Sequence, residues 1–538
     1  MAKLVIAAIA ILIWAPCHAL PQSVGGQWTG GFWVNGNWVA VLVTFPRETE
    51  KVDATANVVS PVWGGRENAI NVTVENLKQT GDVLHLEIPT PTQKVILDGT
   101  RSNNTISGRF VYGESKGSFG LTQWGDVAPV NLPKYYGAYR AAPDRIVSVF
   151  RGWSYGRTLN YVDYKTGDVG TLWPVSDGEF FAGHGLGVSF PVTLRVSFNR
   201  DATGNVTSVR WQSSADETFT AQKLQLKEER FLVKNGDIDI GGTLILPTTK
   251  GRHPVVVVTP GDYGTNREQL RMWAHNFVSH DIAAVVLDSR GAGESTGSVN
   301  SSSFSDLAND VLAIVQQLKT HDEINNKQIG LFGFSNSCFF VSLAASRSPD
   351  VAFLIMQSFV GVPGWQQEMF RAETQLRVDG LPAADVQKGA EFMRLKYEVA
   401  RTGEGWDELQ SIMQKASAER WLGYTAPPNN LDRLRQTYES VMTYDPVPAL
   451  ERLSIPILAL WGGKDTFLPV PETVSAFKRA MAKSGNNNYT IKIYPNGSHS
   501  LLETATGSPS TGSKETNFSP GVWKLETDWL RKHVIEVR

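Results

Sequence analysis

Cysteine is almost absent from this chain: Cys17 and Cys338 are the only two among 538 residues. Such a pair, with one member in the first twenty residues, cannot staple a domain, so the fold must rest on its apolar core. A charge excess of one sign is missing too. The 51 Lys and Arg nearly balance the 53 Asp and Glu, for a formal net charge of -2, and no dense basic block occurs. Nucleic-acid partners need the field such a block creates, so that class is set aside. The nine His are scattered, with no His-Glu-x-x-His and no paired-Cys spacing. The sequence therefore points to no metal site and to no cofactor.

A long hydrophobic run is also lacking. The apolar stretch Leu4 to Trp14 stops before Pro16, short of the roughly 20 residues that a spanning helix needs. With Lys3 ahead of it and Cys17-His18-Ala19 behind, it reads as an export signal over residues 1–19, cleaved after Ala19. Trp14-Ala15-Pro16 is a poor lipobox, which disfavours a lipid anchor at Cys17. The expectation is a soluble exported chain, secreted or periplasmic, with no stable membrane span and Cys338 as its one remaining thiol. The sequons Asn71-Val72-Thr73 and Asn496-Gly497-Ser498 are read as chance in a bacterial protein. Oligomeric state is left open.

What the chain does have is 41% hydrophobic and 10% aromatic residues, enough for a sizeable core and too many for disorder. Its length calls for two or three domains. From residue 20 to 215 the text is β-like. Short runs such as Trp38 to Phe45, Val83 to Ile88 and Leu194 to Phe198 are separated by Gly, Asn, Asp and Pro turns. A loose stretch near 125–133 divides this region into two possible β units. Trp28, Trp33 and Trp38 suit core or rim packing better than a glycan-stacking face. Past Asp216, apolar strands alternate with amphipathic helices, the pattern of a mostly parallel sheet. Expected strands are Pro254 to Thr259, Ile282 to Asp288, Gln328 to Phe334, Val351 to Gln357, Pro456 to Trp461 and Tyr489 to Tyr494. The stretch 358–452 is helix-rich and charged, holds no strand candidate, and reads as a cap or lid.

Chemistry concentrates at Gly333-Phe334-Ser335-Asn336-Ser337, between a predicted strand and a predicted helix. A turn that tight presents the middle serine's hydroxyl at the C-terminal edge of the sheet, and its neighbours must be small. The usual pattern is Gly-x-Ser-x-Gly, and Ser337 replaces the second Gly. Serine needs a base, and the base needs an orienting carboxylate. Asp465 follows the strand ending at Trp461, and His499 follows the one ending at Tyr494. Each alone could be an ordinary surface loop. Together they stand in the order Ser, acid, His at successive strand ends, which makes Ser335, Asp465 and His499 the candidate catalytic set. Cys338, three residues past Ser335, suits a buried apolar role.

Two backbone N–H groups should hold the developing oxyanion. Candidates are Asn336, after the nucleophile, and Asp262, in the loop Thr259-Pro260-Gly261-Asp262-Tyr263-Gly264. The Asp262 charge would need balancing by Arg267 or solvent, and the Tyr263 hydroxyl is a rival donor. The segment Asp288-Ser289-Arg290-Gly291-Ala292-Gly293-Glu294-Ser295 resembles one found in α/β-hydrolases, where it locks a loop beside the site. With the serine turn, Asp465 and His499, it makes residues 223–538 similar to that superfamily. The nearer likeness is to exported esterases and serine-aminopeptidase-like hydrolases. That resemblance implies an α/β-hydrolase fold, a mostly parallel sheet flanked by helices, with a helical cap inserted at 358–452 and an all-β N-terminal region before it. It implies a serine hydrolase acting on a small-molecule carboxylic ester. The alternative is a serine peptidase of aminopeptidase or oligopeptidase type, with Glu404, Asp407 and Glu408 as candidates to bind a free amine. A non-enzymatic glycan- or surface-binding protein is a third possibility, against which the intact Ser, Asp and His count.

Overall fold

The computed structural model describes residues 24–536, except 35, 48–52, 60–68, 91–92, 126–128, 153–157, 216, 262–264, 418, 429 and 509–513. The expected signal at 1–19 and the candidates Asp262 and Tyr263 lie outside the described residues.

Three sheets succeed one another along the chain. Strands from Gly26–Val34 to Ser115–Trp124 form a nine-stranded antiparallel sheet. Its strands alternate buried and outward positions, as Val95 and Leu97 do within Lys94–Ser102, because one face covers a core. Trp28 and Trp38 belong to that core, while Trp33 stays 37% exposed and leans on Trp38. A second unit is an up-and-down barrel of eight strands, from Gly137–Ala142 to Thr218–Lys223, closed where Tyr139 pairs with Lys223. Its last strand runs past the boundary expected at 215. Of that strand only Ala221 is fully buried, so its composition gives little sign of a strand.

The third sheet carries β1 (Lys227–Asn235), β2 (Ile238–Leu246), β3 (His253–Val258), β4 (Ala283–Leu287), β5 (Ile324–Phe334), β6 (Phe353–Gln357), β7 (Ile457–Gly462) and β8 (Tyr489–Tyr494). Their order is β1-β2-β4-β3-β5-β6-β7-β8. The pairs β1–β2 and β2–β4 are antiparallel, and the five others are parallel. All six residues of β3 are buried, the mark of a strand covered on both faces. Val255 and Val257 face one core with α2 (Phe304–Leu318) and α3 (Ser337–Arg347). Val256 and Val258 face another with α1 (Arg271–Val278) and the helix Val522–Leu530. Barrel residues Phe150, Val162 and Val169 join that second core. The barrel is thus docked onto the sheet through α1.

Between β6 and β7 the chain folds into α4 (Gly364–Val378), α5 (Ala383–Thr402), α6 (Trp406–Lys415) and shorter helices. They share a separate small core around Phe392, Trp421 and Leu434.

Candidate active site

Ser335 sits at the C-terminal end of β5, in the turn to α3, with φ of +54°. A non-glycine residue in that region costs roughly 1–3 kcal/mol and persists only where its surroundings enforce it. Here the enforcement is visible. Ser335 N–H donates to the Gln357 carbonyl at 2.9 Å, and Cys338 N–H donates to the Ser335 carbonyl at 3.0 Å. A Cβ on Gly333 would lie 2.7 Å from Val341 and 3.0 Å from the Cys338 backbone, so only glycine lets α3 approach the strand. Ser337, the departure from the usual pattern, is fully buried. Its Oγ accepts from Phe334 N–H at 2.7 Å and donates to the Phe334 carbonyl at 2.9 Å. The side chain that glycine would lack ties the turn across its own base.

The His499 ring joins the other two candidates. Its Nδ1 lies 2.7 Å from Asp465 Oδ2 and its Nε2 lies 2.9 Å from Ser335 Oγ. Asp465 has no exposed side-chain surface, and its second oxygen accepts from Phe467 N–H at 2.7 Å. The two loops meet because Gly462 and Gly463 leave room. A Cβ on Gly462 would stand 2.1 Å from the Ser498 carbonyl oxygen. Sequence reasoning missed three contributors. The Phe467 ring stacks on His499 at 4.6 Å between centroids. Ser358, at φ of +53°, donates from Oγ to the His499 carbonyl at 2.6 Å. Gln367 on α4 donates from Nε2 to the Phe467 carbonyl at 3.3 Å. Each role depends on chain segments well separated in sequence, by 141 residues for Ser358 and 100 for Gln367, and no local motif encodes it.

Asn336 follows Ser335 as the first residue of the turn into α3. It lines a cleft with Pro260, Gly261, Val299, Phe304, Leu307 and Val441. Arg267 already has acidic partners of its own. Its guanidinium bonds Asp288 Oδ2, Glu294 Oε2 and the Gly242 carbonyl. Arg290 grips Asp310 by two hydrogen bonds, at 2.6 and 2.7 Å. Both arginines fix loops at this sheet edge. Cys338 is wholly buried, and burial pushes its thiol well above the usual range, so it is not a reactive nucleophile. Glu404, Asp407 and Glu408 are exposed at the start of α6, where carboxylates complement the helix dipole. One His-carboxylate group, Glu229, His321 and Glu323, has metal-ligand spacing, but Lys227 already pairs with both carboxylates.

A serine at a strand-to-helix turn, bonded to a histidine and a carboxylate from later strand ends of such a sheet, defines a class of fold and site. Residues 236–499, just under half of the chain, match the model of the X-Pro dipeptidyl-peptidase (S15) family, a likeness consistent with an α/β-hydrolase. A curated Escherichia coli relative, an uncharacterized 31.7 kDa protein in the traX-finO intergenic region, is 23% identical over 54% of this chain and 95% of its own length. Among solved structures, the Pyrococcus furiosus esterase Pf2001 is 14% identical, with 57% of this chain and 92% of that one covered, at a TM-score of 0.36. The α/β hydrolase GrgF from Penicillium sp. sh18 is 19% identical over 58% and 100%, at 0.37. Among the described residues no helix is long and apolar enough to cross a membrane.

Proposed function

We propose that this chain is a serine hydrolase that cleaves carboxylic esters through an acyl-enzyme on Ser335. The reading is carried by one observation, the hydrogen-bonded series Asp465, His499, Ser335 on a nucleophile held at φ of +54°. His499 Nε2 takes the Ser335 proton as Oγ attacks the carbonyl carbon. Asp465 holds the ring through Nδ1–H and stabilises its charged form. The N–H of Asn336 and that of Asp262, or the Tyr263 hydroxyl in its place, receive the oxyanion. The imidazolium protonates the leaving alcohol. Water, deprotonated by the same ring, then releases the acid. No cofactor enters these steps.

A peptidase of the dipeptidyl type is the second reading, favoured by the S15 family match. Against it, the three acidic residues that could hold a free amine are exposed, Glu404 just before α6 and Asp407 and Glu408 in its first turn. We further propose that the chain is exported, with cleavage near Ala19, and that the helices of 358–452 act as the cap over the site.

The test is steady-state turnover of 4-nitrophenyl butyrate and of Gly-Pro-4-nitroanilide by the full chain and by Ser335→Ala. The ester should turn over at least a hundredfold faster in kcat/KM, and Ser335→Ala should lose at least a thousandfold. Faster cleavage of the amide favours the peptidase reading. Unchanged ester turnover in the variant removes Ser335 from the mechanism.

A further inference from the structure

The interior of the cap holds positive charge on the helix pair that α4 begins beside the His499 loop. α4 meets the site at Gln367, which bonds the carbonyl of the Phe467 ring stacked on His499. One helical turn further on, Arg371 makes two hydrogen bonds to Glu368, at 3.1 and 2.6 Å. On the adjacent helix α5, Lys396 is only 5% exposed, and its ammonium donates to a neutral acceptor, the Thr425 carbonyl, at 3.1 Å. Glu368 favours the Lys396 cation and Arg371 opposes it, so both lie within electrostatic reach of it. Two more polar atoms of the same helix pair, Gln375 Nε2 and Tyr397 Oη, are buried with no hydrogen-bond partner among the described residues. Gln375 is 4% exposed.

Such an arrangement is costly as it stands. A buried cation without a full counter-charge carries a desolvation penalty, and each buried unpaired donor adds to it. Burial lowers Lys396 only to about 8, so at neutral pH it remains a cation. Arg371 and Tyr397 keep part of their surface open, although the Tyr397 hydroxyl itself is buried. The missing partner is an acceptor with negative charge.

We infer that the cap selects substrates bearing a carboxylate, held by Lys396 and Arg371 with Tyr397 as a neutral donor, while the ester carbonyl lies at Ser335. This rests on the serine-hydrolase reading and sharpens it to esters of carboxylate-bearing molecules. A substrate with a free ammonium, which an aminopeptidase requires, would meet like charge here.

The test measures kcat/KM of the full chain for two matched pairs of esters. Mono-4-nitrophenyl succinate against 4-nitrophenyl butyrate places the carboxylate on the acyl side. 3-Acetoxybenzoate against its methyl ester places it on the alcohol side. The anionic member of one pair should be preferred at least tenfold, mainly through KM, and Lys396→Met should shrink that ratio at least fivefold. The unmodified chain should also be inhibited competitively by succinate or benzoate, whichever matches the favoured pair, and this readout stands even if Lys396→Met fails to fold. Equal or reversed preference in both pairs, or a ratio untouched by Lys396→Met, overturns the inference and leaves ester hydrolysis standing. Absence of turnover with all four esters overturns the hydrolase reading and this inference with it.

Discussion

At the scale of single residues, Ser337 separates a weak motif from a working turn. On the page of the sequence it looks like a flaw in Gly-x-Ser-x-Gly. In the fold its Oγ closes both polar groups of Phe334. Ser337→Ala removes two hydrogen bonds and strands a backbone N–H. The expected loss is about 1–3 kcal/mol in denaturant unfolding, with a fall in kcat on an aryl ester as Ser335 loses its fixed position. Unaltered stability and kcat would show that the tie is idle. Ser335, Asp465 and His499 were legible because each carries local punctuation: small residues around a turn, or Gly next to a strand end. Ser358 and Phe467 were not, because a serine after an apolar strand and a phenylalanine in a loop acquire meaning only from the His499 loop they touch.

At the scale of elements, the buried parallel strands were readable for a physical reason. Strands such as His253–Val258 and Ile457–Gly462 are covered on both faces and so are written as unbroken apolar runs. β1 was missed because Lys227–Asn235 is an edge strand with only Phe231 and Val233 buried, and its charged residues resemble a loop. The closing barrel strand Thr218–Lys223 hid in the same way. Beyond the strand ends, function depends on two loops fitting together. Gly462→Ala would place a Cβ 2.1 Å from the Ser498 carbonyl oxygen and 2.3 Å from that of Gly497. The atoms it meets are backbone, which cannot swing aside, so the Asp465 and His499 loops must separate. The expected outcome is a loss of at least tenfold in kcat with the circular dichroism spectrum retained, since the sheet itself is not touched. Full activity in Gly462→Ala would mean that the loop spacing is not what positions His499.

At the scale of the whole molecule, the barrel is joined to the site through backbone. Val169 N–H donates to Thr516 at 3.0 Å and Phe518 N–H donates to Gly167 at 2.8 Å, while Glu503 N–H donates to Asn517 at 2.8 Å. The strip 516–518 therefore lies between the barrel and the residues that follow His499. The seam behind it holds buried polar groups. Glu526 is fully buried near Asn276, Tyr494 and Tyr164, and burial pushes its carboxyl up to about 8. A raised carboxyl favours the neutral acid in the folded chain. Its contribution to stability is complete below the ordinary value of 4.5 and is lost as pH rises through about 8. Glu515, raised to about 7 beside Ser498, works in the same direction. Tm should therefore fall between pH 5 and pH 9, and Glu526→Gln, neutral at every pH, should flatten that slope. A slope equally steep in the variant would place the titration elsewhere.

The central claim is that Ser335 is the activated nucleophile, and covalent trapping tests it most directly. A fluorophosphonate probe should add to one site, found by mass spectrometry on the peptide containing Ser335. The adduct should form on the intact chain and vanish in His499→Ala, whose serine has lost its base. A probe that leaves Ser335 unmodified, or that labels it equally without His499, would contradict the account.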